Sequence, residues 1–176
     1  MTASLARTGK WLVDGEPFAF QYDLHVQWGD VDRMGHVNNA KYASYVESAR
    51  CEYFAAVGMS DAENAAPPPS TLVGPRSVPG GTGPIVAHLE IDYGKPVTSP
   101  DRLSIYVATT RIGTTSAEQR YVLASEAQGG AVVARAKVVW VLLEYALARP
   151  CAIPDTLRER VAELERGAAR VVMGAR

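Results

Sequence analysis

Within a chain of 176 residues, reactive side chains crowd into residues 28–45, which read W-G-D-V-D-R-M-G-H-V-N-N-A-K-Y-A-S-Y. Asp32 stands a few residues ahead of Asn39, where a helical pattern begins. The start of a helix presents unpaired backbone N–H groups and a partial positive charge. A carboxylate next to amide donors that can hold a developing oxyanion is the minimum equipment for acyl transfer. Thioesters suit such a site. With cysteine as the guide, a leaving thiol has a pKa of about 8.5, so it departs without a strong general acid. One carboxylate, acting as nucleophile or as base on water, then suffices. A single oxyanion donor typically lowers the barrier by about 2.7–4 kcal/mol.

Each residue in this stretch also has a plainer reading. Aspartates such as Asp32 are common turn formers, and Asp30 reads as structural. His36 reads as a loop residue bonding the backbone, and Asn38 or Asn39 as the helix cap. Glu47 lies on the helix flank, placed for a salt bridge, a subunit contact, the orientation of a water or service as the carboxylate itself. Arg50, three residues on, can pair with it. Mid-helix Cys51 reads as buried. A calcium loop through Asp30 and Asp32 fails, because Met34 and Lys41 occupy positions that need oxygen ligands. His25, His36 and His88 lack metal-ligand spacing, so no metal site is expected. The sequence has no G-x-S-x-G and no phosphate-cradling glycine motif, and no cofactor is expected.

The elements that would position these residues follow from periodicity. Phe18, Phe20, Tyr22, Leu24, Val26 and Trp28 alternate with smaller or polar residues, the pattern of a half-buried strand over 18–28. Over 39–57 the period changes to that of a helix: Tyr42, Tyr45, Val46, Ala49, Tyr53 and Ala56 form a stripe, and Gly58 suits the left-handed residue that ends it. At about 1.5 Å per residue the rod is roughly 28 Å long. Residues 59–84 hold six of the eleven prolines and read as a long irregular loop, a candidate lid. Strand patterns follow over 85–93, 102–111, 116–127 and 131–143, separated by turns that suit antiparallel neighbours. Apolar residues on both sides near the end of the last strand give it a central, doubly covered place. Leu157, Val161 and Leu164 mark a short C-terminal helix. One long helix and five antiparallel strands have an economical solution, a sheet curled around the helix, of the α+β class.

Lys and Arg total 18 against 19 Asp and Glu, a formal charge of −1, with 47% hydrophobic and 21% charged residues, ordinary for one globular domain. No field gathers nucleic acid, no apolar run reaches a membrane-spanning length, and no secretory leader is evident. With two cysteines, Cys51 and Cys151, the expectation is a cytoplasmic protein with reduced thiols.

Asp32-Arg33-Met34-Gly35-His36-Val37-Asn38-Asn39-Ala40-Lys41-Tyr42, followed by Glu47-Ser48-Ala49-Arg50, resembles the hotdog-fold acyl-CoA thioesterases of the 4-hydroxybenzoyl-CoA thioesterase type, with their D-x-x-G-H-V-N-N-A-x-Y and E-x-A-R. The likeness continues through Gly83-Pro84, Ile91-Asp92-Tyr93, Lys95-Pro96-Val97 and Arg111-Ile112-Gly113. It implies a hotdog fold and hydrolysis of an acyl-CoA, or an acyl-carrier-protein thioester. It implies Asp32 as the catalytic carboxylate and the Asn39 N–H as the group that polarises the carbonyl. His36 matches a histidine of the plant-type carrier-protein thioesterases, although Met34 stands where those enzymes have an asparagine. Asn38, Tyr42 and Glu47 are the substrate-binding candidates. Active sites in this family lie between subunits, which implies a homodimer or a dimer of dimers. The expected division is an N-terminal extension over 1–17, a hotdog domain over 18–150, and a C-terminal helix and tail over 151–176. Two rival readings share the fold: a non-catalytic acyl-CoA-binding module, and a hydratase or dehydratase.

Overall fold

The computed structural model describes residues 6–59, 82–145 and 147–166. Two strands open it, β1 (Ala6–Val13) and β2 (Glu16–Val26), followed by a 3-10 turn at Trp28–Asp30 and the long helix α1 (Asn39–Ala56). The strands β3 (Thr82–Tyr93), β4 (Asp101–Ile112), β5 (Ser116–Ser125), β6 (Ala131–Glu144) and β7 (Arg149–Pro150) come next, and α2 (Asp155–Arg166) ends the order. The strands form one antiparallel sheet in the order β1-β2-β4-β5-β6-β3, with β7 on the end of β6. This is the α+β hotdog arrangement expected, with seven strands where periodicity indicates five. The additions are β1 and the two-residue β7. Most of the expected 59–84 loop lies outside the described residues; Thr82–Pro84 belong to β3.

Helix α1 lies on one face of the sheet. Its buried residues Tyr42, Tyr45, Val46, Ala49, Tyr53 and Phe54 join Phe20, Leu103, Ile105, Val107, Tyr121, Leu123 and Val138 in the main core. Phe54 takes the place that spacing gave to Ala56, which is exposed. Cys51 is exposed as well, not buried as expected, because it lies about 200° around the helix from buried Tyr53. Asn38 caps α1, accepting from the Ala40 N–H at 2.9 Å. Gly58, at φ +69°, ends it, with Met59 N–H donating to Phe54 C=O.

Strand β6 is central, between β5 and β3. It is not covered on both faces as expected: Val138, Trp140 and Leu142 are buried, while Val139, Val141 and Leu143 are only half-buried. Beyond Phe20 the β1–β2 hairpin leaves β4 and crosses the outer face of the sheet. There Phe18 packs on Ala108 and Val122, and Glu16 pairs with Arg120. Helix α2 closes the other end of the core. Its buried Glu165 accepts from Tyr53 Oη and from Thr109 N–H, each at 2.6 Å. No described helix is long and apolar enough to cross a membrane.

Candidate active site

The connection from β2 to α1 is built on Asp30. This residue is 8% exposed, and its carboxylate accepts from Gln27 N–H (3.0 Å) and Tyr45 Oη (2.8 Å) and pairs with Lys41 Nζ (3.0 Å). Its backbone carbonyl accepts from Asn38 N–H at 2.9 Å. One residue therefore ties the 3-10 turn, the residue before the helix and two successive turns of α1. Burial acts to raise the pKa of Asp30. Hydrogen bonds from Lys41, Gln27 N–H and Tyr45, with the Lys41 charge, outweigh it and hold the pKa below the usual carboxylate value.

Between Asp30 and Asn38 the chain makes a small hairpin. Val31 bridges Val37, Asp32 N–H donates to His36 C=O (2.8 Å), and Gly35 N–H donates back to Asp32 C=O (3.0 Å). Gly35 has φ +81°, a backbone that glycine adopts without strain. Asp32 Oδ1 accepts from Met34 N–H at 2.7 Å, while no donor to Oδ2 is present among the described residues.

A cleft of about 420 Å³ opens beside this hairpin, lined by Asp32, Val37, Asn39, Tyr42, Tyr93 and the Gly94–Pro96 turn. It brings together three of the residues singled out from the sequence: Asp32, Asn39 and Tyr42. The amide N–H groups around it are mostly engaged. Val37 donates to Val97 C=O, Asn38 to Asp30 C=O, Ala40 to the Asn38 side chain and Lys41 to Asn38 C=O. Asn39 N–H has no acceptor among the described residues, which leaves it as the donor open at the helix tip. Tyr42 is 4% exposed, and burial, then Tyr93 and Asp101, raise its pKa, so its phenol stays protonated.

Three other candidates do not line this cleft. His36 is exposed and enters the hairpin through its carbonyl; Asn38 has its side chain on Ala40 N–H; Glu47 is exposed farther along α1, 3.5 Å from Arg50. Residue spacing missed the opposite wall. Tyr93 packs edge-on against Tyr42 (centroids 5.2 Å apart, 86° between planes) and donates from Oη to Asn39 C=O at 3.2 Å. The signs of this wall in the sequence are the Lys95-Pro96 turn that ends a strand pattern and the family likeness through Ile91-Asp92-Tyr93 and Lys95-Pro96-Val97, neither of which gave Tyr93 a role.

A larger hollow of about 670 Å³ lies on the outer face and contains Asp23. That carboxylate is saturated by Gln21, Ser104, Arg7 and Arg102, so it offers no lone pair for chemistry. Among the described residues no cluster of His, Cys, Asp or Glu could hold a metal ion.

Residues 26–161 match the model of the thioesterase-like superfamily. A chloroplastic acyl-acyl carrier protein thioesterase of Arabidopsis thaliana is 28% identical over 144 residues, covering 80% of this chain and 66% of that protein. The chain thus spans just under two thirds of that relative's length. A thioesterase from Thermus thermophilus, solved with coenzyme A and zinc, is 29% identical, covers 83% of this chain and 93% of its own, and superposes with a TM-score of 0.65. A protein of Pseudomonas aeruginosa strain PAO1 is 27% identical over 84% of this chain and 92% of its own, with a TM-score of 0.66.

Proposed function

The chain belongs to the thioesterase-like superfamily, and from that premise we propose that it hydrolyses an acyl-CoA thioester to a carboxylic acid and free CoA. The observation that carries the reading is the meeting of the Asp32 carboxylate and the open Asn39 N–H in one cleft. The thioester carbonyl oxygen accepts from Asn39 N–H, where the partial positive charge of the helix tip favours a developing oxyanion. Asp32 then acts in one of two ways. As a base it takes a proton from water, whose oxygen adds to the carbonyl carbon; the thiolate leaves and recovers that proton. As a nucleophile its oxygen bonds the carbonyl carbon while the C–S bond breaks, giving a mixed anhydride and the thiolate. Water then opens the anhydride, restores the Asp32 carboxylate and gives up a proton that the thiolate takes. Both routes end in acid and thiol.

The remaining residues support this geometry. His36 C=O closes the hairpin that presents Asp32, and the Asn38 cap holds the first turn of α1. Tyr42 forms the floor against which the substrate lies. In this reading Glu47, exposed on the flank of α1 beside Arg50 and outside the cleft, meets a distal part of the substrate or a second subunit. The reading includes a homodimer or dimer of dimers through β3, an edge strand that exposes Ile85, Val86 and Leu89. It also includes a cytoplasmic setting, where Cys51 and Cys151 stay reduced. The acyl carrier is CoA or a carrier protein.

Thiol release from a panel of acyl-CoAs tests the proposal. Turnover of at least one member is expected. Tight binding of several members without any thiol release would instead favour a binding module.

A further inference from the structure

Tyr93 is the last residue of β3, and it is held more firmly than its position would suggest. It is 53% exposed. An exposed tyrosine ordinarily leaves its hydroxyl in water and its ring free to change rotamer. Here the ring meets Tyr42 edge-on and the hydroxyl donates to Asn39 C=O. Both partners belong to the first turn of α1, where Asn39 lines the cleft and its N–H has no acceptor among the described residues. Tyr93 therefore grips, through the carbonyl, the same residue whose N–H is available to a substrate.

The layout of the cleft gives this grip a consequence. Three segments line it: Asp32 and Val37 of the hairpin, Asn39 and Tyr42 of the first turn of α1, and Tyr93 with Gly94, Lys95 and Pro96 at the end of β3. Among the described residues that line the cleft, Tyr93 supplies a half-exposed aromatic ring against which a planar thioester, with its oxygen on Asn39 N–H and its carbon toward Asp32, can rest. We propose that Tyr93 is a positioning residue: its ring presses the thioester against Asn39 N–H, and its hydroxyl pins that ring to the helix tip. The proposal rests on the thioesterase reading of the same cleft. It goes further by giving the ring and the hydroxyl of Tyr93 separable duties.

Two substitutions separate those duties. Tyr93→Phe keeps the wall and loosens it; Tyr93→Ala removes it. A displacement near 1 Å at a reacting centre lowers rate by up to about a hundredfold. The experiment measures kcat and KM for the wild type and both variants with the best acyl-CoA substrate. Melting temperature and the dissociation constant for a non-hydrolysable acyl-CoA thioether are measured alongside. Expected for Tyr93→Phe is a kcat lower by about threefold to tenfold with KM within about twofold. Expected for Tyr93→Ala is a KM and a thioether dissociation constant at least about tenfold higher, at a melting temperature close to wild type.

Wild-type constants in Tyr93→Ala would overturn the proposal. So would losses in both variants that follow a falling melting temperature, since that is the mark of a structural residue. A wild type that releases no thiol defeats the hydrolase reading alone, because the thioether arm still reports on the wall. In that case an unchanged dissociation constant in Tyr93→Ala removes the positioning role too.

Discussion

Replacing Asp30 by alanine should destabilise the protein through partners that can be named. Tyr45, 4% exposed, loses the acceptor for its hydroxyl, and a buried unsatisfied polar group costs about 1–3 kcal/mol. Gln27 N–H loses an acceptor at 3.0 Å but is near solvent, a loss of roughly 0.5–1.5 kcal/mol. Lys41, whose side chain is 43% exposed, turns to water at a cost of about 0–1 kcal/mol. The sum is roughly 2–5 kcal/mol, and at about 2–4 °C per kcal/mol the melting temperature falls by roughly 4–20 °C. Denaturant unfolding near pH 7 is the assay. Removing the stranded hydroxyl should recover part of the loss, so Asp30→Ala with Tyr45→Phe is expected to fall short of additivity by about 1 kcal/mol. Asp30→Ala within about 0.5 kcal/mol of wild type, or strict additivity with Tyr45→Phe, would refute the bonding scheme.

Further outcomes follow from the same structure. The folded pKa of Asp30 lies below its unfolded value, so its stabilisation is fully present above about pH 4 and is lost as pH falls through the folded pKa; acid unfolding should begin at higher pH in Asp30→Asn than in wild type. Glu165 has the opposite sign: burial raises its pKa despite bonds from Thr109 N–H and Tyr53 and the charge of Arg120, so its contribution is present below about pH 4.3 and is lost as pH rises through the folded pKa. Glu165→Gln keeps an oxygen for both donors, and its unfolding free energy should vary less with pH than wild type; identical slopes in the two proteins would count against a buried, costly charge. At the exposed edge of β3, Leu89→Lys should shift sedimentation toward monomer if that edge pairs with a second copy, and a monomeric wild type at high micromolar concentration would contradict the pairing.

Local signals were the legible ones. The tyrosine stripe of α1, its asparagine cap and Gly58 each act within a few residues, and the structure realises them. β1 escaped because its register shifts between Thr8 and Trp11, around Gly9 and Lys10, which breaks alternation. Trp28 continues the alternation of β2 and yet belongs to the 3-10 turn, 88% exposed, because the chain bends there to bring Asp30 under Tyr45. Asp32 and Asn39 could be read together because they stand seven positions apart and the helix starts at Asn39. Tyr93 meets Asn39 from 54 residues away, a pairing set by sheet topology that no periodicity contains. The anchoring role of Asp30 depends likewise on Tyr45, fifteen residues on.

The measurement closest to the chemistry is thiol release by Asp32→Asn. Asparagine keeps the size of the side chain and an oxygen to accept from Met34 N–H, so the hairpin should stand while the negative charge is removed. The account predicts a kcat lower by at least about a hundredfold at an unchanged melting temperature, the loss expected for a missing base or nucleophile. Equal rates in Asp32→Asn and wild type would contradict it.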